Sequence, residues 1–209
     1  MLKTDKTCVM NLDNAIRGAR NPMNSWAKSD SGYDSRGNFV LGDADLALAV
    51  KLCTAGSDHR KFIRQIFVSV DITAPLYWWK EFDTYKVGTV ANSTSTMHRI
   101  HAKPIELSDF STDQMTGESL TRFEGYIAYL EQLRRRYTES GDRIWWDDLI
   151  QLLPSSYNQL RTVTMNYENL RNMYHSRSRH KLAEWHVLCD WIASLPYAAE
   201  LIIGAARPQ

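Results

Sequence analysis

The stretch IFVSVDITAP, residues 66–75, decides the fold. Ile66, Val68, Val70 and Ile72 alternate with Phe67, Ser69, Asp71 and Thr73. The period is two and the apolar positions are β-branched, which predicts a strand over 66–73 with one face against a core. Ala74-Pro75 closes it, and Pro75 suits the first turn of a following helix, where its missing N–H costs nothing. The next residues, LYWWKEFDTYK, carry large apolar side chains at helical spacing. They end in VGTVANSTSTM, a small polar run with no period of its own. A strand, a helix and a hydroxyl-rich loop is a common way to present donors to a phosphate, and a plain loop is the simpler reading of the same residues.

Working outward, Leu12, Ile16 and Ala19 recur at helical spacing and predict a short helix over 11–20. Residues 21–42 are rich in Asn, Ser, Gly and Asp and read as a long loop, a type that is often functional or mobile. Asp43 reads as the N-cap of a helix with Leu46, Ala49, Val50 and Cys53 on one face, stopping near Gly56. Residues 101–117 look irregular. A strong amphipathic helix is predicted over 119–140, with Leu120, Phe123, Ile127, Leu130, Leu133 and Tyr137 in one stripe and Gly141 as its stop. Arg134, Arg135 and Arg136 read as a solvated helix end, where cations oppose the dipole favourably. A helix over 144–153 stops before Pro154, LRTVTM is extended, and helices follow over 166–176 and 181–195. Asn166 is a natural N-cap for the first of these. Leu182, Trp185, Leu188, Cys189 and Ile192 form the buried face of the second. The order predicts an α+β domain spanning residues 1–209, with helices packed on a mostly antiparallel sheet.

Composition excludes several classes. With a net charge of +1 over 209 residues, no global field recruits a nucleic-acid polymer or an anionic lipid surface. The longest apolar runs, such as AELIIGAA, are too short to span a bilayer, and MLKTDKTCVMNLD lacks the apolar run of a signal peptide. A cytoplasmic location is the expectation. Cys8, Cys53 and Cys189 are an odd, widely spaced set with no CxxC, and HExxH is absent, so neither a disulfide framework nor a metal site is expected.

Three segments, in order, resemble the flavin-dependent thymidylate synthases. In that family a strand ending in A-P leads into a helix that ends at R-H-R, with a Ser seven residues later. Here Ala74-Pro75 leads at the same spacing to Thr84, Tyr85 and Lys86, and Thr94 stands seven residues after Lys86. The family's L-P, strand and N-x-R-S-L-x-N-F-x-x-x-R resemble Leu153-Pro154 followed by Asn166, Glu168, Asn169, Leu170, Asn172, Met173 and Arg177. Its H-A-Q-W-E resembles Leu182, Ala183, Glu184, Trp185 and His186. The pair Ala19-Arg20 and the helix from Asp43 also fall where the family has comparable elements.

The resemblance implies FAD-mediated reductive methylation, or a related one-carbon transfer, on a pyrimidine nucleotide such as deoxyuridylate (dUMP). NADPH and methylenetetrahydrofolate would be co-substrates, and no cysteine nucleophile is needed. It assigns Arg177 the catalytic role of polarising the pyrimidine. It places Asn166, Asn172, Thr84, Tyr85, Lys86 and Glu168 at the flavin. It places Glu81, Thr94, Ser95, Thr96 and Arg99 at the substrate. It also implies a homotetramer with sites between subunits and with Trp78 and Trp79 partly in contacts between chains. The family's cations are depleted: Thr84 and Lys86 flank Tyr85 in place of R-H-R, and a later signature Arg aligns with Thr96. Family Gln and Arg positions hold Glu81, Ile150 and Glu168. Arg is the best binder of a phosphate dianion, so these losses define an alternative, a catalytically degenerate member that keeps fold and oligomer as a binding or structural protein. Lys86, Arg99 and Arg161 are the cations that could compensate.

Overall fold

A computed structural model of the chain describes residues 2–204. In order they form β1 (Lys3–Met10), α1 (Leu12–Ala19), β2 (Gly32–Tyr33), β3 (Phe39–Val40), α2 (Asp43–Ala55), β4 (Phe67–Pro75) and α3 (Leu76–Phe82). There follow β5 (Val90–Ser93), α4 (Thr96–Arg99), α5 (Gly117–Ser140), α6 (Arg143–Leu152), β6 (Asn158–Asn166), α7 (Tyr167–Arg177) and α8 (Ala183–Ala193). The fold is α+β, with an antiparallel four-stranded sheet in the order β1-β4-β6-β5 and a small β2-β3 hairpin. The residues fall into two compact units. One is built on Ile72–Thr84 and Asn92–Thr162, the other on Thr4–Asp71, Tyr85–Ala91 and the chain from Val163 onward.

β4 forms where the alternation requires it. Ile66, Val68, Val70 and Ile72 are each at most 1% exposed, which makes theirs the buried face. The strand runs two residues past its predicted end, because Pro75 keeps an extended backbone (φ −69°, ψ 150°) and caps α3 from outside instead of entering its first turn. The first α3 donors are satisfied by main chain: Leu76 N donates to the Tyr157 carbonyl (3.0 Å) and Tyr77 N to that of Ser155 (2.9 Å). Trp78, Trp79 and Phe82 form one aromatic cluster and are all buried within the chain. Trp79 Nε1 donates to the Gln159 carbonyl (3.0 Å). This corrects the expectation that the two tryptophans take part in contacts between chains.

The run VGTVANSTSTM is not a featureless loop. It holds β5 and α4, which carry no sequence period because all four β5 residues are exposed on a sheet edge. β1, the other edge strand, is mostly exposed and went unread for the same reason. α5 buries Ile127, Leu130 and Leu133 against Leu149 of α6 and against Ile100, Ile105 and Phe110. Its basic end is less solvated than expected. Arg134 pairs with Glu131 (2.7 Å), both side chains being largely buried, and Arg136 lies over the Trp145 ring. Glu131 also accepts from Ile105 N (2.9 Å), and Arg134 Nη1 donates to the His101 carbonyl (3.2 Å), so the pair pins residues 101–105 onto α5.

Residues 21–42 are likewise anchored. Arg20 and Asp45, both buried, form an ion pair, and the Asp45 carboxylate also accepts from Ser29 Oγ (2.7 Å), Ser31 Oγ (2.6 Å) and Ser31 N (3.1 Å). The N-cap of α2 is Gly42, not Asp43. The capping carboxylate comes from Asp30, which accepts from Ala44 N (2.8 Å) and Asp45 N (3.0 Å). Asp43 lies in the first turn, where its charge complements the dipole.

Burial alone would push the Asp45 carboxyl up, but hydrogen bonds from Ser31, Ser29 and Arg20 outweigh it and hold the pKa at about 2. A carboxyl depressed on folding stabilises the folded state above its unfolded pKa, and that contribution is lost as pH falls through the folded value. We expect about 2 kcal/mol of stability from this group above pH ~4, lost progressively toward pH ~2. Denaturant titrations across that window should show the loss, and Asp45→Asn should flatten it while lowering stability at pH 7.

Candidate functional site

The assigned residues of the second unit gather around α7. Asn166 ends β6 and caps α7: its Oδ1 accepts from Asn169 N (3.0 Å), while Asn169 Oδ1 accepts from Asn166 N (3.1 Å). The reciprocal cap explains why the helix starts here. Asn169 Nδ2 also donates to the Val87 carbonyl (2.6 Å), which draws the segment after Tyr85 onto the helix N-terminus. Gly88 is required in that segment. Its φ is +74°, and a Cβ would lie 3.1 Å from Asn166 Nδ2 and from Asn169 Oδ1.

At the far end of α7, Arg177 is half-buried. Its Nε donates to the Tyr85 hydroxyl (3.0 Å), and its guanidinium lies 4.9 Å from the Trp185 ring centroid and 5.7 Å from that of Tyr85. The two rings meet edge to face at 6.0 Å. A guanidinium held on aromatic faces keeps its charge and loses little rotamer entropy on binding an anion or carbonyl oxygen. Thus the structure brings together Arg177 and Tyr85, which the resemblance assigns to different roles, and adds Trp185, which the sequence marks only as a buried helix-face residue in the third family segment.

Glu168 is not the open negative charge that its alignment with a family Arg implies. Arg60 grips it through Nε (3.1 and 2.9 Å to the two oxygens) and Nη2 (2.9 Å), with both side chains largely buried. This pair, 108 residues apart in sequence, left no local signal. Asn172 and Lys86 are exposed.

In the other unit the assigned hydroxyls serve local structure. Thr84 Oγ1 donates to the Glu81 carbonyl (2.7 Å), Thr94 Oγ1 to that of Leu160 (3.2 Å), and Ser95 Oγ accepts from His98 N (3.1 Å) as the cap of α4. Thr96 opens α4 and Arg99, exposed, ends it. Arg161 is committed: it pairs with Asp83 (2.8 Å) and lies 4.2 Å from the Trp79 ring centroid.

A cavity of about 580 Å³ lies in the second unit, partly under the loop that follows α1. Pro22, Met23, Leu48, Leu52 and Phe62 wall it, and His59 and Lys61 add polar groups. That size and character suit a ring-bearing cofactor. Burial pushes the thiols of Cys53 and Cys189 up to about 11, which makes both poor nucleophiles. Among the described residues, no helix is long and apolar enough to cross a membrane.

No protein-family model and no curated protein matches the sequence. Solved structures do match the fold. The chain is similar to the flavin-dependent thymidylate synthase ThyX of Helicobacter pylori complexed with FAD and dUMP, with a TM-score of 0.68 and 18% identity over 96% of this chain and 97% of that one. It is also similar to the UMP/dUMP methylase PolB of Streptomyces cacaoi bound with 5-Br dUMP, with a TM-score of 0.64 and 15% identity over 92% of this chain and 88% of that one. At these identities the likeness shows the fold, and it extends over nearly the whole chain.

The Asn166 cap has a measurable cost of removal. Asn166→Ala should destabilise the protein by about 0.5–2 kcal/mol. Calorimetry would read this as a Tm fall of about 2–4 °C per kcal/mol for a chain of this size. Asn166→Asp, which keeps the acceptor, should recover most of it.

Proposed function

We propose that the protein is a divergent flavin-dependent enzyme of the thymidylate synthase type, acting on a pyrimidine nucleotide such as dUMP. The observation that carries this is Arg177, held half-buried by the Tyr85 hydroxyl and by the faces of Tyr85 and Trp185, in a chain with this fold. We assign FAD to the apolar cavity, where Met23, Leu52 and Phe62 suit its ring system and Lys61 and His59, beside Asp58, suit its phosphates; none of the residues that the resemblance assigned to the flavin lines it. When bound and reduced, the flavin supplies hydride to the pyrimidine. Arg177 would stabilise negative charge developing on a pyrimidine carbonyl oxygen, and its fixed orientation lowers the reorganisation this requires. Asn166 and Asn169 act indirectly, by setting where α7 and the Tyr85 segment lie. We further propose NADPH and methylenetetrahydrofolate as co-substrates, a cytoplasmic location, and a homotetramer of one-domain chains.

A specific observation favours the second reading, a degenerate relative retained for binding or structure. Glu168 is closed by Arg60, and the hydroxyls of Thr84, Thr94 and Ser95 are used within the chain. Purified protein titrated with FAD should develop bound-flavin absorbance, and calorimetry should detect dUMP. Arg177→Ala should abolish dUMP binding and any methylation while leaving the circular dichroism unchanged. Binding of neither compound would favour the degenerate relative. Sedimentation should give a tetramer, and a monomer at micromolar concentration would sink the assembly.

A further inference from the structure

A further cavity, of about 540 Å³, lies within the second unit, walled by α1, the loop after it and the β2-β3 hairpin. Asp13, Ile16 and Arg17 of α1 and the rings of Trp26, Tyr33 and Phe39 line it. Most of these residues fall in the segment 21–42, to whose rings the function proposed above gives no task. Two of the rings face water: Trp26 is 51% exposed and Tyr33 65%, in a chain that buries Trp78, Trp79 and Trp185 almost completely.

Both exposed rings are held in place. Trp26 Nε1 donates to Asn21 Oδ1 (2.9 Å). The Tyr33 hydroxyl donates to Asp13 Oδ2 (2.6 Å), and the Tyr33 ring meets Phe39 edge to face at 5.5 Å. Asp34 closes the hairpin turn, its Oδ1 accepting from Arg36 N and Asn38 N (both 2.8 Å). Ser31 fixes the hairpin base, its Oγ donating to Asp45 and accepting from Gly42 N (3.0 Å). Rings that are fixed yet uncovered form a prepared stacking surface, because little side-chain freedom remains to be lost on binding.

The polar groups decide the class of ligand. Among the described residues that line the cavity, Asp13 supplies the only carboxylate. A carboxylate has about four acceptor sites. The Tyr33 hydroxyl takes one on Oδ2 and Asn14 Nδ2 one on Oδ1 (3.3 Å), so each oxygen can accept a further N–H. Arg17 directs Nη2 to Asn14 Oδ1 (2.9 Å), and Arg20 is committed to Asp45. Asp13 and Asp45 balance these two cations, so the site favours a neutral ring over an ammonium group. We propose that the cavity binds a flat, neutral heterocycle with two adjacent N–H donors, the amino-oxopyrimidine edge shared by guanine and pterins. The ring face stacks on the exposed aromatics, and the ring N–H and amino N–H donate to the two Asp13 oxygens, the two-point fit a carboxylate makes with a guanidinium. Adenine presents an acceptor where this edge has its ring N–H, and uracil has one N–H between two carbonyls, so both fit Asp13 worse. The inference therefore stands apart from the pyrimidine-nucleotide function proposed above.

Guanosine, 6-methylpterin and adenosine, titrated by calorimetry into the full-length protein, test this. We expect guanosine or 6-methylpterin to bind about tenfold or more tightly than adenosine, and the tighter of the two names the source of the ring. Asp13→Asn, which keeps an acceptor for Tyr33, should weaken that ligand about tenfold and narrow its lead over adenosine. Trp26→Leu should weaken every ring that binds, and Trp26→Phe, which keeps an aromatic face, should recover most of the loss. Unchanged thermal unfolding would show that the variants keep the fold. Adenosine binding as tightly as both other probes, or binding that Asp13→Asn leaves unchanged, would overturn the proposal. So would failure of both guanosine and 6-methylpterin to bind, and none of these results bears on whether dUMP binds.

Discussion

Burial of one face of β4 is the constraint on which the rest depends. Ile66, Val68, Val70 and Ile72 are withdrawn from water almost completely, each contributing roughly 1.5–3 kcal/mol. A slip of one residue would turn all four outward and bring Phe67, Ser69, Asp71 and Thr73 in, so the register is fixed. That register sets both ends of the strand. At one end the Ile66 carbonyl accepts from Tyr167 N (3.0 Å), which fixes where α7 starts. At the other, Pro75 ends the extended run and delivers α3. The Asn166–Asn169 cap then aligns α7, and the helix carries Arg177 at its last residue to Tyr85 and Trp185.

Three ion pairs tie distant segments of the chain together. Arg60 neutralises Glu168, Arg20 neutralises Asp45, and Arg161 is shared between Asp83 and the face of Trp79. Such pairs are weak evidence for stability, since desolvation offsets much of the attraction. Their effect here is on order: each ties a loop or helix end to an element far away in sequence. They also change the electrostatics inferred from alignment. A Glu in place of a family Arg repels a phosphate only while it stands alone, and Glu168 does not stand alone.

The fold was legible because its governing elements are periodic. The alternation of 66–73, the stripe from Phe123 to Leu133 and the cap at Asn166 each announce an element within a few residues of its true bounds. The edge strands β1 and β5 were missed because strands exposed on both faces carry no period to read. Asp43 reads as a cap in the sequence, which cannot show that Asp30, across a loop, already serves α2. The resemblance, with its sites between subunits, implies that Trp78 and Trp79 lie partly between chains; the chain buries both in its own core, and tryptophan's preference for burial does not say which surface buries it.

By itself the sequence determined the α+β class, the buried face of β4, the helix that carries Arg177 and the residues that resemble a flavin-dependent site. Each depends on neighbours a few positions apart, where periodicity and capping act. Only the tertiary structure decided that Arg177 rests on Tyr85 and Trp185, that Arg60 closes Glu168, and that Asp13, Trp26 and Tyr33 line one cavity. The Arg177–Tyr85 and Arg60–Glu168 contacts join segments tens of residues apart, and side-chain chemistry acts through distance in space, which the order of residues along the chain does not record.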